Sequence, residues 1–87
     1  MDKRYEIEIT VISQKGKCVW GHKVGDKWLV SNTTPEGICL EAFYAMFADM
    51  KVLMFGGELP WSQNEDEALI TCPDVANPVV FRIKRLR

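Results

Sequence analysis

Four side chains in this sequence have the chemistry to hold a soft metal ion, or to pair a nucleophile with a base. They are Cys18, His22, Cys39 and Cys72, which account for all of its cysteines and its one histidine. Cys18 and His22 stand four positions apart in Cys18-Val19-Trp20-Gly21-His22, where the glycine lets the chain bend so that both side chains turn toward one point. Thiolate sulfur and imidazole nitrogen together make tetrahedral zinc sites, and thiolates also hold iron centres, so zinc or iron is the expected ion of a site built from Cys18, His22, Cys39 and Cys72. A second reading takes Cys39 as a thiol nucleophile near the start of a helix, where the positive end of the macrodipole favours thiolate. His22 would be its base, with Asp26 or Glu36 to orient the ring. A third reading leaves the thiols as small apolar groups of the core, since free cysteine is among the most buried residue types and the chain has no close Cys-x-x-Cys pair.

Three thiols cannot all pair within one chain, which argues against a disulfide-stapled secreted scaffold and for reduced cysteines in the cytoplasm. At 87 residues, 47% hydrophobic and 26% charged, the sequence is a single domain, 1–87, with enough apolar material for one core. No apolar run approaches the length of a membrane span, and the opening residues do not resemble a signal peptide, so no membrane partner is expected. The net charge is −1, but it is unevenly spread: residues 31–78 carry Lys51 against eight acids, whereas residues 79–87 carry Arg82, Lys84, Arg85 and Arg87 and no acid. The acidic middle weighs against nucleic acid as a partner. The basic end reads as a charge-protected edge strand, and Glu65-Asp66-Glu67 as a solvated loop.

The elements that would position the four residues follow from periodicity. Lys3 to Ser13 alternates, with Tyr5, Ile7, Ile9 and Val11 on one face and Glu6, Glu8 and Thr10 on the other, which is the pattern of a half-buried antiparallel strand. Residues 18–22 form a short extended or looped segment, Gly25-Asp26 a turn, and residues 28–30 a short strand. Thr33-Thr34-Pro35-Glu36 suggests a helix start, with Thr33 as N-cap and Glu36 completing a capping box, although Gly37 weakens the first turn and moves regular helix toward Ile38. From Cys39 to Met54 apolar residues recur every three and four positions, giving one helix of about five turns that ends at Gly56-Gly57. Ala68 to Cys72 and Val79 to Leu86 read as two further strands joined by the turn-rich segment 73–78.

The expected fold is therefore α+β, a small, mainly antiparallel sheet with one long amphipathic helix in the order ββ-β-α-β-β. One helix cannot cover a whole sheet, and three tryptophans and four phenylalanines leave apolar surface over, so a homo-oligomer is expected. Trp20, Trp28 and Trp61 are candidates to line a small-ligand site, and Phe55 to Trp61 could form a pocket wall around Glu58.

Gln14-Lys15-Gly16-Lys17-Cys18, Gly21-His22-Lys23-Val24-Gly25-Asp26, Thr34-Pro35-Glu36-Gly37-Ile38-Cys39, Phe55-Gly56-Gly57 with Pro60-Trp61, and Cys72-Pro73-Asp74 together resemble an uncharacterised family of short bacterial and archaeal proteins common in anaerobes. The resemblance covers nearly the whole chain. It implies a stand-alone cytoplasmic domain in which the three cysteines and the histidine belong to the shared pattern, and it implies no particular reaction. A small metal- or ligand-binding domain is thus the leading expectation, with a thiol-dependent enzyme or a non-catalytic oligomeric interaction module as alternatives.

Overall fold

The structure, a computed structural model, describes residues 4–17 and 21–87. Alternation along the first strand decides where the core lies. In β1, Glu6–Gln14, the side chains of Ile7, Ile9 and Val11 are buried on one face, and Glu6, Glu8 and Thr10 project from the other. Ile12 interrupts the polar face because it is the extra residue of a β-bulge: Val11 pairs with Phe81 and Ser13 with Val80, which leaves Ile12 without an opposite partner. β2, Lys27–Val30, pairs antiparallel with β1 after a turn in which Gly25 takes a φ of +99° and the Lys23 N–H donates to Asp26 Oδ2.

The helix α1, Leu40–Met54, is followed by β3, Glu67–Thr71, and β4, Val79–Leu86. The described residues thus form one helix and a four-stranded antiparallel sheet in the order β2-β1-β4-β3, an α+β fold. Gly21 and His22 belong to no strand, so the short early strand expected there is not formed by those two residues, and the rest of that segment, Cys18 to Trp20, lies outside the described residues. α1 packs over β1, β4 and β3 with Ala42, Met46, Met50, Leu53 and Met54 buried against Ile7, Ile9, Phe81 and Ile83. Phe47, one of the apolar residues that recur at helical spacing between Cys39 and Met54, sits at the flank of the buried face and is 48% exposed. The shortest dimension is 19 Å, the thickness of one helix on one sheet, so among the described residues no second layer lies over the other face of the sheet.

Two expectations about the helix and the charges are corrected. α1 spans about four turns rather than five, and neither Thr33 nor Glu36 caps it. Gly37 has a φ of +88°, which lies outside the right-handed helical region, so a helix cannot run from Thr33 through to Cys39. Likewise β4 is an interior strand, and its basic residues do not protect an edge. Arg85 shares the parity of Val79, Phe81 and Ile83 and enters the core, with only 1% of its side chain exposed. There it donates to Asp66 Oδ1 and to the carbonyls of Leu53, Gly57 and Glu65. Arg87 pairs with both Asp66 and Glu65, so the acidic run is tied to β4 and is not a freely solvated loop. The end of α1 is as expected: Gly56 at a φ of +87° lets its N–H reach the Leu53 carbonyl and the Gly57 N–H reach that of Val52, a Schellman closure.

Candidate functional site

Three of the four reactive side chains meet at one small cavity. His22, from the loop before β2, Cys39, at the start of α1, and Cys72, just past the end of β3, line a hollow of about 60 Å³ backed by Phe81 and Ala42. The volume admits an ion with a few coordinating groups or a few waters, but no large organic molecule. Cys18 lies outside the described residues.

Each residue is placed by a local feature of the chain. Cys39 is the N-cap of α1; it lacks a side-chain cap of its own kind, and its N–H donates instead to His22 Nε2 at 2.9 Å. His22 is buried, with its ring edge-on to Trp28 at 5.0 Å between centroids and to Phe81 at 6.1 Å, so two aromatic walls and one hydrogen bond fix the imidazole. An accepting Nε2 carries no proton, which puts the proton of neutral His22 on Nδ1. As arranged, the Nε2 lone pair points at an amide and not at the Cys39 thiol. A base role for His22 toward Cys39 requires that amide bond to be released. Neither proposed orienting group is at the ring: Asp26 accepts from Lys23 in its turn, and Glu36 is exposed.

Cys72 closes the β3–β4 connection. Its N–H donates to the Val79 carbonyl, and the Val79 N–H donates back to Cys72 Sγ at 3.3 Å, which holds the sulfur at the cavity. The loop it opens is an Asx turn in which Asp74 Oδ1 accepts from Ala76 and Asn77. Asn77 Oδ1 in turn accepts from the Lys17 N–H, across the left-handed Gly16. The chain on one side of residues 18–20 is thereby pinned to a residue of the cavity wall, and on the other side His22 is itself part of that wall.

The charges around the cavity have one sign. Glu41 and Asp74 line it with the two thiols and the imidazole, and among the described residues no lysine or arginine does. A thiolate formed here faces no described cation in the wall to neutralise it. Among the described residues, no three His, Cys, Asp or Glu side chains are close enough together to hold a metal ion as they stand. The expectations missed Glu41, Asp74 and Asn77 as wall residues. The signal for the last two was present in the turn-forming pattern directly after Cys72, which reads as connection and not as site.

The tryptophans are divided. Trp28 packs against His22 and Phe81, Trp61 is exposed and lines a separate surface hollow beside β3, and Trp20 lies outside the described residues. Glu58 is exposed and lines none of the hollows described above. Among the described residues no helix is long and apolar enough to cross a membrane. In comparisons with known proteins, no family model matches the chain, and neither a curated protein nor a solved structure matches it.

Proposed function

We propose that this domain binds a thiophilic metal cation at the cavity between Cys39 and Cys72. The observation that carries the reading is the makeup of the wall: two thiols, an imidazole and two carboxylates brought together from distant parts of the chain, with no lysine or arginine beside them among the described residues. Such a wall repels anions and favours a cation, and the sulfurs select a soft or borderline one, zinc or ferrous iron. Cys39 and Cys72 are the primary ligands. Cys18 and His22 complete the donor set, His22 by exchanging its bond to the Cys39 amide for the ion, so loading the site is expected to disturb the start of α1. The resemblance noted in the sequence, which places all four residues in one pattern, supports the same grouping. A site of free thiols belongs in a reducing compartment, which for this protein we take to be the cytoplasm.

The test is titration of the reduced protein with Co²⁺ under anaerobic conditions, followed by displacement with Zn²⁺. One equivalent is expected to produce a thiolate-to-cobalt band and to shift the Cys39 amide resonance, and Cys39→Ser and Cys72→Ser are each expected to lose the band. Cys18→Ser and His22→Gln read out the remaining two donors. A wild-type protein that gives no band and retains no metal overturns the proposal.

A further inference from the structure

A second cleft lies on the other side of the helix and shares no residue with the cysteine cavity. It has a volume of about 100 Å³ and runs between the segment after β2 and the outer flank of α1. Its floor is apolar, made by Val30, Phe43 and Met50, and its rim carries Arg4 and Lys51. The two cations are drawn to the same ring: Lys51 Nζ lies 4.7 Å and Arg4 Cζ 6.0 Å from the centroid of Phe55. Among the described residues neither is in an ion pair, although Arg4 donates to the amide oxygen of Asn32. The facing wall is the segment 31–34, Ser31-Asn32-Thr33-Thr34, and among the described residues none of its N–H or hydroxyl groups donates a hydrogen bond to protein. Among the described residues no carboxylate lines the cleft; Glu6 lines the adjoining hollow that shares Arg4, Ser31 and Asn32 with it.

We infer that this cleft binds a small phosphomonoester with an apolar or aromatic body. Two cations that line one cleft with no described ion-pair partner favour an anion there, and a dianion most; a phosphomonoester carries about −1.5 to −2 at neutral pH. The N–H and O–H groups of 31–34 supply donors for phosphate oxygens that the two cations leave unfilled. The apolar lining of Val30, Phe43, Phe47 and Met50 receives the body of the ligand, which gives the cleft a preference for an organic phosphate over the inorganic ion. This inference is independent of the metal site.

The probe is phenyl phosphate, titrated into the ¹⁵N-labelled full chain at fixed ionic strength and compared with benzoate and inorganic sulfate. Saturable shifts of the 31–34 amides are expected, with phenyl phosphate binding about tenfold more tightly than benzoate, and with Arg4→Gln and Lys51→Gln each weakening it about tenfold, as loss of one charge-assisted hydrogen bond does. Both substitutions are at the surface, and the comparison among ligands on the unaltered protein stands without them. Shifts that never saturate, that benzoate or sulfate reproduces at the same affinity, or that survive in the double variant overturn the inference.

Discussion

His22 and Arg85 are buried polar residues whose roles were not readable from residue type. In His22, an imidazole that could serve as ligand or base gives its Nε2 lone pair to the Cys39 amide and packs edge-on against two aromatic rings. His22→Ala leaves a partly buried N–H unpaired and opens space beside Phe81, and is expected to cost about 2–4 kcal/mol in urea unfolding, with His22→Phe losing less because it keeps the ring contacts. Equal stabilities for wild type and His22→Ala would remove the amide bond from the account. Arg85 anchors the end of α1 and the 57–66 loop by donating to three carbonyls and to Asp66, so Arg85→Met is expected to cost about 3–5 kcal/mol, and Arg85→Lys to recover little, because an ammonium cannot span the guanidinium fork. The bond from Arg87 holds the Asp66 carboxyl below its usual range, partial burial pulls the other way, and the bond from Arg85 lowers it again. A carboxyl depressed in the folded state stabilises it above the unfolded value, and that stability is lost as pH falls through the folded one. Acid unfolding of Asp66→Asn is therefore expected to lose part of the wild-type dependence on pH below about 4, read by circular dichroism. The basic ending Arg82-Ile83-Lys84-Arg85-Leu86-Arg87 looks uniform in composition. Strand parity separates Arg85 from Arg82 and Lys84, and that parity was legible, but that a cation on the core side would find carbonyls waiting for it depends on where α1 ends in space.

At the scale of elements, the strands were legible because each depends on a local period of two, and the end of α1 because a Gly-Gly pair suits a Schellman closure. The start of α1 was not. Thr33-Thr34-Pro35-Glu36 has the composition of a capping box, but Gly37 in the left-handed region turns the chain before the helix begins, and the N–H of the N-cap residue, Cys39, is taken up from 17 residues away by His22. Tertiary contact overrides a local signal here, and no pattern in the window could have revealed it. The two accounts predict opposite results from two substitutions. Thr33→Ala is expected to change stability by no more than about 0.5 kcal/mol, whereas a true N-cap would cost about 1 kcal/mol. Gly37→Ala is expected to cost about 1–2 kcal/mol, because the left-handed backbone strains any residue with a Cβ even though the space around it is open, with Trp28 Nε1 at 3.9 Å as the nearest atom. Paired denaturant curves for the two variants decide between them. Of the candidate cavity, only the positions of two wall residues along the chain were legible. Cys39 and Cys72 fall at element ends, and ends are where sheet topology brings distant segments together; that they share a wall with Glu41, Asp74 and Asn77 follows only from the order β2-β1-β4-β3 and the position of α1 over it.

The described residues make two layers, one helix on one sheet, and leave the second face of the sheet uncovered by α1. Across that face the register sets Lys27, Thr10, Arg82 and Leu69 in one row and Leu29, Glu8, Lys84 and Glu67 in the next, with Glu6 and Leu86 beyond. Three acids and three bases are interleaved with apolar side chains, of which Leu29 and Leu69 are 54% and 60% exposed. Thr10 and Arg82, register partners at the centre, hold a buried hydroxyl and a buried Nε that have no hydrogen-bond partner among the described residues. A face with both signs of charge in neighbouring strands can set acids of one copy against bases of another under a two-fold rotation, and isologous contact between copies is the commonest symmetry of soluble oligomers. The expected outcome is a homodimer packed sheet to sheet, with Glu6 and Glu8 of each copy meeting Arg82 and Lys84 of the other. Sedimentation velocity at micromolar concentration reads the state directly, and a monomer there defeats the idea. Composition of the interface is tested by reversing charge. Arg82→Glu with Lys84→Glu is expected to give a folded monomer, as is Glu6→Lys with Glu8→Lys, and mixing the two variants is expected to restore a dimer, because the reversed pairs now oppose each other. If the variants stay dimeric, or if the mixture stays monomeric, the open sheet face is not the contact, and the exposed residues of α1, Leu40 and Tyr44, become the surface to examine.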